Sequence, residues 1–201
     1  MEPIASADMH ISKALEAGPV SGRSGAVIAA TWGLAEATVF FIVPDVFLTA
    51  VAVRDWRYAL RCCGYAAAAA LVGGVLMYWW GAVSPMSALA LVETMPAISP
   101  AMMERARHSL MDDGATAIML GLLSGTPFKV YAVQASAVGL SLGKFILIAV
   151  PARLARFVLT TLLAAAISRA LAGTVPVRML YLAWLLAWVG FYIFYFVSMP
   201  G

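Results

Sequence analysis

Charged residues are scarce in this 201-residue chain: they make up 11% of it, while hydrophobic residues make up 63%. A typical soluble domain has about 25% charged and about 45–50% apolar residues. The composition therefore excludes an ordinary water-facing surface. Several apolar stretches follow residue 25, and a membrane-spanning helix needs about 20 mostly apolar residues. We predict a polytopic membrane protein with a single membrane domain.

Histidine and cysteine are also scarce, with two of each. His10 and His108 lie outside the apolar stretches, and no acidic cluster accompanies a nucleophile, so the sequence predicts neither a metal site nor an enzyme. Cys62 and Cys63 are adjacent, which rarely suits a disulfide, and we interpret them as buried small residues. Basic residues lie near predicted membrane boundaries and not in a stripe with aromatic residues, which argues against nucleic-acid binding. No cofactor is predicted.

The predicted fold is all-α, with about three full spanning helices and two re-entrant broken helices. Residues 1–24 form a polar N-terminal tail without the features of a cleavable signal, and residues 25–201 form the membrane domain. The predicted segments of this domain are a first re-entrant segment at 25–53, a spanning helix at 58–82, interfacial helices at 85–113, a second re-entrant segment at 115–142, and spanning helices at 144–172 and 177–199.

Proline interrupts two of the apolar segments. Pro44 precedes Asp45 in the first, and Gly125 and Pro127 flank Thr126 in the second. A proline inside a helix removes a backbone hydrogen bond, so we predict structural breaks at Pro44, Gly125 and Pro127. Half-helices should begin at the two prolines, with Thr126 as an N-cap. Paired breaks in corresponding halves of a membrane protein indicate an inverted repeat with a central substrate site.

Five ionisable residues fall within the apolar stretches: Glu36, Asp45, Lys129, Arg153 and Arg156. Each charge costs about 2.5–3.5 kcal/mol near the bilayer centre, so each needs a partner or a function. Together they leave one net positive charge, which suits a monoanion such as a phosphate monoester. We therefore assign substrate binding to the three cations and Thr126, and proton exchange to the two acids.

The two arginines allow two interpretations at this point. Arg153 and Arg156 are three residues apart on one helical face, which suits a phosphate fork. Alternatively, Glu36 or Asp45 pairs with one of these arginines and only holds the re-entrant segments in place, since buried ion pairs can fix packing.

The last predicted span carries an aromatic stripe at helical spacing. We interpret this stripe as packing or lipid contact and not as a cofactor site. Its residues are Tyr181, Trp184, Trp188, Tyr192 and Tyr195.

The distribution of basic residues predicts the orientation of the chain in the membrane. If residues 25–53 enter and return on one face, the side of the N-terminus carries most of the lysines and arginines. That side has Lys13, Arg23, Arg54, Arg57, Arg61, Arg169 and Arg178, and the opposite side has Arg105, Arg107 and Lys144. By the positive-inside rule, the N-terminus is cytoplasmic.

Two motifs resemble a known family. Residues 35–46 (AEATVFFIVPDV) are similar to the first re-entrant motif of the DedA superfamily, also called the VTT or SNARE-associated domain, and in particular to its small YqaA-like branch. Residues 126–131 (TPFKVY), followed by Gly139-Leu140, Phe145 and 153–157 (RLARF), resemble the second motif and its arginine helix. The resemblance covers roughly residues 30 to 170. The branch usually has further prolines where this chain has Phe41, Val43 and Gly125.

This resemblance implies a multi-pass protein of the plasma (inner) membrane with two facing re-entrant loops. The superfamily is associated with flipping polyprenyl-phosphate carriers and with lipid scrambling, and its functional positions map to Glu36, Asp45, Arg153 and Arg156. We therefore expect a flippase-like transporter whose partners are membrane lipids, among them an anionic lipid phosphate, and protons. The alternatives are a non-transporting membrane-homeostasis or scaffold protein and, less favoured, a lipid pyrophosphate phosphatase. A homo-oligomer is compatible with this interpretation.

Overall fold

The computed structural model describes residues 22–198, without the side chains of residues 122–124. Most of the predicted N-terminal tail thus lies outside the described residues. Within them the fold is all-helical, as predicted, and three helices are long and apolar enough to cross a membrane: Trp56–Val83, Leu142–Ala170 and Val177–Ser198. The helices are α1 (Arg23–Thr38), α2 (Asp45–Ala52), α3 (Trp56–Val83), α4 (Pro85–Glu93), α5 (Pro100–Asp113), α6 (Thr116–Ser124), α7 (Phe128–Ala135), α8 (Leu142–Ala170) and α9 (Val177–Ser198).

Small residues bring α1 and α3 into close contact. Gly33 lies against Ala66, where a Cβ on the glycine would overlap the alanine carbonyl, and Gly73 lies against Ala37. Residue numbers thus rise together along both helices, so α1 and α3 run parallel. Small residues at such a contact let two backbones approach, which favours helix association in membranes.

The short helix α2 runs back along the same surface. Leu48 packs in one cluster with Cys62 and Cys63, and Ala52 packs in another with Ala59, so α2 is antiparallel to α3. The α1–α2 pair is therefore a hairpin whose two ends lie near the start of α3. Its turn, residues 39–44, lies beside the middle of α3.

The second broken segment meets α3 from the other end. The ring of Phe128 lies at Gly74 and the backbone of Val133 at Gly81, so α7 runs parallel to the second half of α3. All eight residues of α7 are buried. Helix α8 then returns antiparallel to α3, with its Phe157 beside Cys63. Both breaks therefore lie near the middle of the helix bundle.

The order of elements is similar in the two halves. An eight-residue helix follows each break, and a helix of 28 or 29 residues follows in turn, α3 in the first half and α8 in the second. Helices α3 and α8, which follow the two breaks, are antiparallel.

The start of α7 differs by one residue from the expected half-helix. Gly125 has a left-handed conformation (φ 86°) and ends α6, and Pro127 is extended (ψ 137°) and occupies the N-cap position. The N-cap is therefore Pro127 and not Thr126, because the extended proline precedes the first helical residue. Pro44 likewise precedes the first residue of α2.

The contact between Gly81 and Val133 generates a test of the packing of α7 on α3. We expect Gly81→Ala to destabilise the protein by about 1–3 kcal/mol, because its Cβ would overlap a backbone carbonyl that cannot rotate away. Thermal unfolding of the purified protein in mild detergent measures this effect.

Gly64→Ala, on the same helix, is the matched control. A Cβ at Gly64 meets open space, so alanine should be neutral or stabilise the helix by up to about 1 kcal/mol. Equal losses in the two variants would contradict the packing of α7 against α3.

Candidate functional site

A cavity of about 430 Å³ lies where the two breaks meet α9. Both breaks contribute to its lining, and Glu36, Lys129 and Arg156 add charged side chains. The residues contributed by the breaks are Phe41, Val43, Asp45, Gly125, Thr126 and Pro127. The structure thus brings eight of the nine predicted site residues and structural breaks to this cavity or its edge, counting Pro44 beside Asp45.

Arg153 is the predicted site residue that turns away from the cavity. Its guanidinium forms a buried ion pair with Glu36 and lies over the rings of Phe128, at 4.6 Å, and Phe157, at 5.2 Å. Its Nε and Nη1 atoms have no hydrogen-bond partner among the described residues. Contact with the ring faces offsets part of the cost of burying this cation. Arg153 therefore joins α8 to α1 and does not line the cavity.

Asp45, the first residue of α2, is held by two side chains of α8. Arg156 Nη2 donates to one carboxylate oxygen at 3.0 Å, and Thr160 Oγ1 donates to the other at 2.7 Å. The start of a helix also favours a carboxylate, because backbone N–H groups point toward it. The Arg156 side chain remains 29% exposed and lines the cavity, so it can contact a ligand while it holds Asp45.

Lys129 connects the second half-helix to the first break. Its Nζ donates to the carbonyl oxygen of Phe40 at 2.6 Å, and the side chain is buried at the edge of the cavity. The partner of Lys129 in this bond is neutral, whereas the two arginines each pair with a carboxylate. The five ionisable residues therefore form one cluster with three cations, two acids and one excess positive charge.

Each arginine of this cluster pairs with a carboxylate, as in the second interpretation of Arg153 and Arg156 given above. Arg153 and Arg156 bind different carboxylates, since Glu36 approaches from α1 and Asp45 from α2. The spacing of the arginines alone did not distinguish this arrangement from a joint fork. Arg156 and Lys129 are the cations placed to contact an anion in the cavity.

Three residues of the aromatic stripe of α9 line the cavity, Trp188, Tyr192 and Tyr195, a role that sequence reasoning missed. The indole N–H groups of Trp184 and Trp188 both donate to Thr49 Oγ1, at 2.9 and 3.0 Å, and this hydroxyl donates to the Asp45 carbonyl at 2.6 Å. The Tyr192 hydroxyl accepts the Val43 N–H at 2.9 Å. The helical spacing of the stripe predicted a face that contacts protein or lipid. The Trp N–H and Tyr O–H groups were a further signal, because such groups usually have hydrogen-bond partners when they are buried.

No residue of α9 is buried in the described structure. These few polar contacts are therefore a main attachment of α9 to α2 and the first break. Within residues 22–198, no group of three or more His, Cys, Asp or Glu side chains is placed to hold a metal ion.

No protein-family model, no curated protein and no solved structure matches the chain. The resemblance to the DedA superfamily therefore stays a prediction based on the two motifs. The chemistry of the cavity is the remaining indication of the ligand: fixed positive charge, paired carboxylates and an aromatic wall.

The position of the first break generates a test of access to the cavity. Val43 lines the cavity, whereas Val130 is fully buried in α7. We expect Val43→Cys and Thr126→Cys to react with a water-soluble maleimide, because the cavity admits water. Mass spectrometry of the labelled protein in vesicles measures this reaction.

Val130→Cys is the control of equal size and should stay unlabelled. The native Cys62 and Cys63 are buried, so the parent protein sets the background. Equal labelling at positions 43 and 130, or none at 43, would contradict a water-filled cavity.

Proposed function

We propose that the protein is a DedA-like membrane transporter that flips a lipid phosphate, either a polyprenyl phosphate or a phospholipid headgroup, across the bilayer. The observation that carries this proposal is the cavity at the two helix breaks. Lys129 and Arg156 line this cavity, and the cluster of five ionisable residues to which they belong has one excess positive charge. An anionic headgroup needs such charge to leave water, since an unpaired ion in a low-dielectric interior is costly.

In this proposal the two broken segments are re-entrant and form an inverted repeat. The return of the α1–α2 hairpin to the start of α3 supports the first part. The antiparallel α3 and α8, each preceded by a break and an eight-residue helix, support the second. Transporters with such repeats bind substrate near the bilayer midplane, between discontinuous helices.

The proposed location is the plasma (inner) membrane with a cytoplasmic N-terminus. Arg54 lies over the Tyr181 ring, and Arg57 and Arg169 lie over the Trp56 ring, so these arginines cluster at one end of the bundle. Basic and aromatic residues together are typical of a membrane interface, and the positive-inside rule makes this end cytoplasmic.

A second candidate is a scaffold or membrane-homeostasis protein without transport. The two ion pairs favour it, because they tie α8 to the first hairpin without any ligand. A lipid pyrophosphate phosphatase is the less favoured alternative. Lipid movement, phosphate release or the absence of both separates the three functions in vesicles that contain the purified protein.

The charged lining of the cavity predicts which residues are required for transport. The assay uses vesicles that contain the purified protein and fluorescently labelled phosphatidic acid. We expect Arg156→Ala to slow movement of this lipid to the outer leaflet by about tenfold or more, because a charge-assisted hydrogen bond contributes about 1.5–3 kcal/mol. Arg153→Ala should also impair transport, through the loss of the partner of Glu36. Accessibility of the label to dithionite measures the movement.

Two further variants control for charge and topology. Arg156→Lys keeps the charge but loses the planar fork, so it should transport poorly. Arg178→Ala removes an exposed arginine at the start of α9 and should transport at the parent rate. An equal effect of Arg178→Ala and Arg156→Ala would indicate a topology defect instead.

The two acids predict proton coupling. Glu36→Gln and Asp45→Asn remove a charge with little change in volume. We expect Glu36→Gln to lower the stability of the protein, because the buried Arg153 loses its carboxylate partner. The folded protein should lose the dependence of transport on a pH gradient, because Glu36 lines the cavity beside Lys129. Asp45 accepts bonds from both Arg156 and Thr160, so its substitution should mainly reduce stability. Transport is measured with and without an imposed pH gradient. If both variants respond to the gradient as the parent does, the two acids serve only as ion-pair partners of the arginines and not in proton coupling.

A further inference from the structure

The first break and α9 enclose an apolar groove next to the charged cavity. On one side it is lined by Phe41 and Ile42, and on the other by a face of α9 that includes Val189 and Ile193. Every described residue that lines the groove is aliphatic or aromatic. The groove therefore offers nothing to a phosphate and suits a hydrocarbon chain.

The groove adjoins the cavity. Phe41, Trp188 and Tyr192 line both spaces, so only these three rings, among the described residues, lie at the boundary between them. Tyr192 is fixed at this boundary by the hydrogen bond from the Val43 N–H, and Trp188 by its bond to Thr49. The polar tips of these two rings are used for attachment, which leaves their apolar faces to the ligand.

The outer side of the groove opens toward the lipid-facing surface of α9. Ile193 lines the groove and is 61% exposed. On a helix apolar enough to cross a membrane, such a face contacts acyl chains. A hydrocarbon chain that leaves the cavity here stays in an apolar environment along its whole length, and its headgroup stays among the charges.

We propose that this groove is a lateral portal that holds the hydrocarbon chain of the ligand while the phosphate occupies the cavity. This inference rests on the proposed function and adds the route of entry and the site of the chain: the lipid phosphate enters sideways between the first break and α9. Trp188 and Tyr192 are the positioning residues that keep the portal open.

The test fills the groove without touching the charged cavity. Ile193→Trp and Val189→Trp, one turn apart, each place a larger side chain in the portal. Both positions are exposed, so we expect the variants to fold, and thermal unfolding checks this. Leu186→Trp is the matched control. Leu186 lies on the same helix two turns before Ile193, is an isomer of isoleucine and has the same 61% exposure. It lines neither the cavity nor the groove. Binding of radiolabelled hexadecyl phosphate to the full-length protein is measured by displacement with unlabelled hexadecyl phosphate and with butyl phosphate.

Ile193→Trp and Val189→Trp should each weaken hexadecyl phosphate binding by about tenfold, because the indole occupies the space that the hydrocarbon chain would take. Butyl phosphate binding should stay at the parent value, since its short chain ends within the cavity, and Leu186→Trp should match the parent for both phosphates. Unchanged hexadecyl phosphate binding in the groove variants, or equal losses for both phosphates, would overturn the portal. Failure of the parent protein to bind either phosphate would overturn the proposed function itself.

Discussion

The pairing of buried charges is the constraint on which the arrangement of this bundle depends. Glu36 and Asp45 are buried on the first hairpin, and their partners Arg153 and Arg156 are one helical turn apart on α8. Breaking such a pair leaves an uncompensated charge and is strongly destabilising. The two pairs therefore set the axial position and rotation of α8 relative to α1 and α2.

The helix breaks impose a second constraint, because backbone groups without helical partners inside a membrane protein need other hydrogen-bond partners. Side chains from other elements supply them. The bonds run from Lys129 to the Phe40 carbonyl, from Trp32 to the Ile42 carbonyl, from the Val43 N–H to Tyr192, and from Tyr195 to the Gly125 carbonyl. The irregular backbone is thus tied to α1, α7 and α9, and the same bonds place Lys129 and the aromatic wall at the cavity.

These two constraints produce a site with two unlike parts. The charged part belongs to closely packed elements, because Asp45, Glu36 and Lys129 are all buried. The apolar part belongs to α9, which is attached through the polar tips of its rings. In the proposed function, different elements would therefore bind the headgroup and accommodate the chain.

Composition and apolar run length by themselves determined an all-helical chain with three helices able to span a membrane, since run length directly reflects the transfer of a helix out of water. The prolines likewise marked both breaks, and the rarity of charge in apolar segments selected the five residues that meet in one cluster. Only the tertiary structure decided which acid pairs with which arginine, that Pro127 replaces Thr126 at the start of α7, and that Trp188 and Tyr192 line the cavity. These depend on contacts between residues more than 100 positions apart or on the local path of a turn, and helical spacing determines only which residues share a face, not what that face meets.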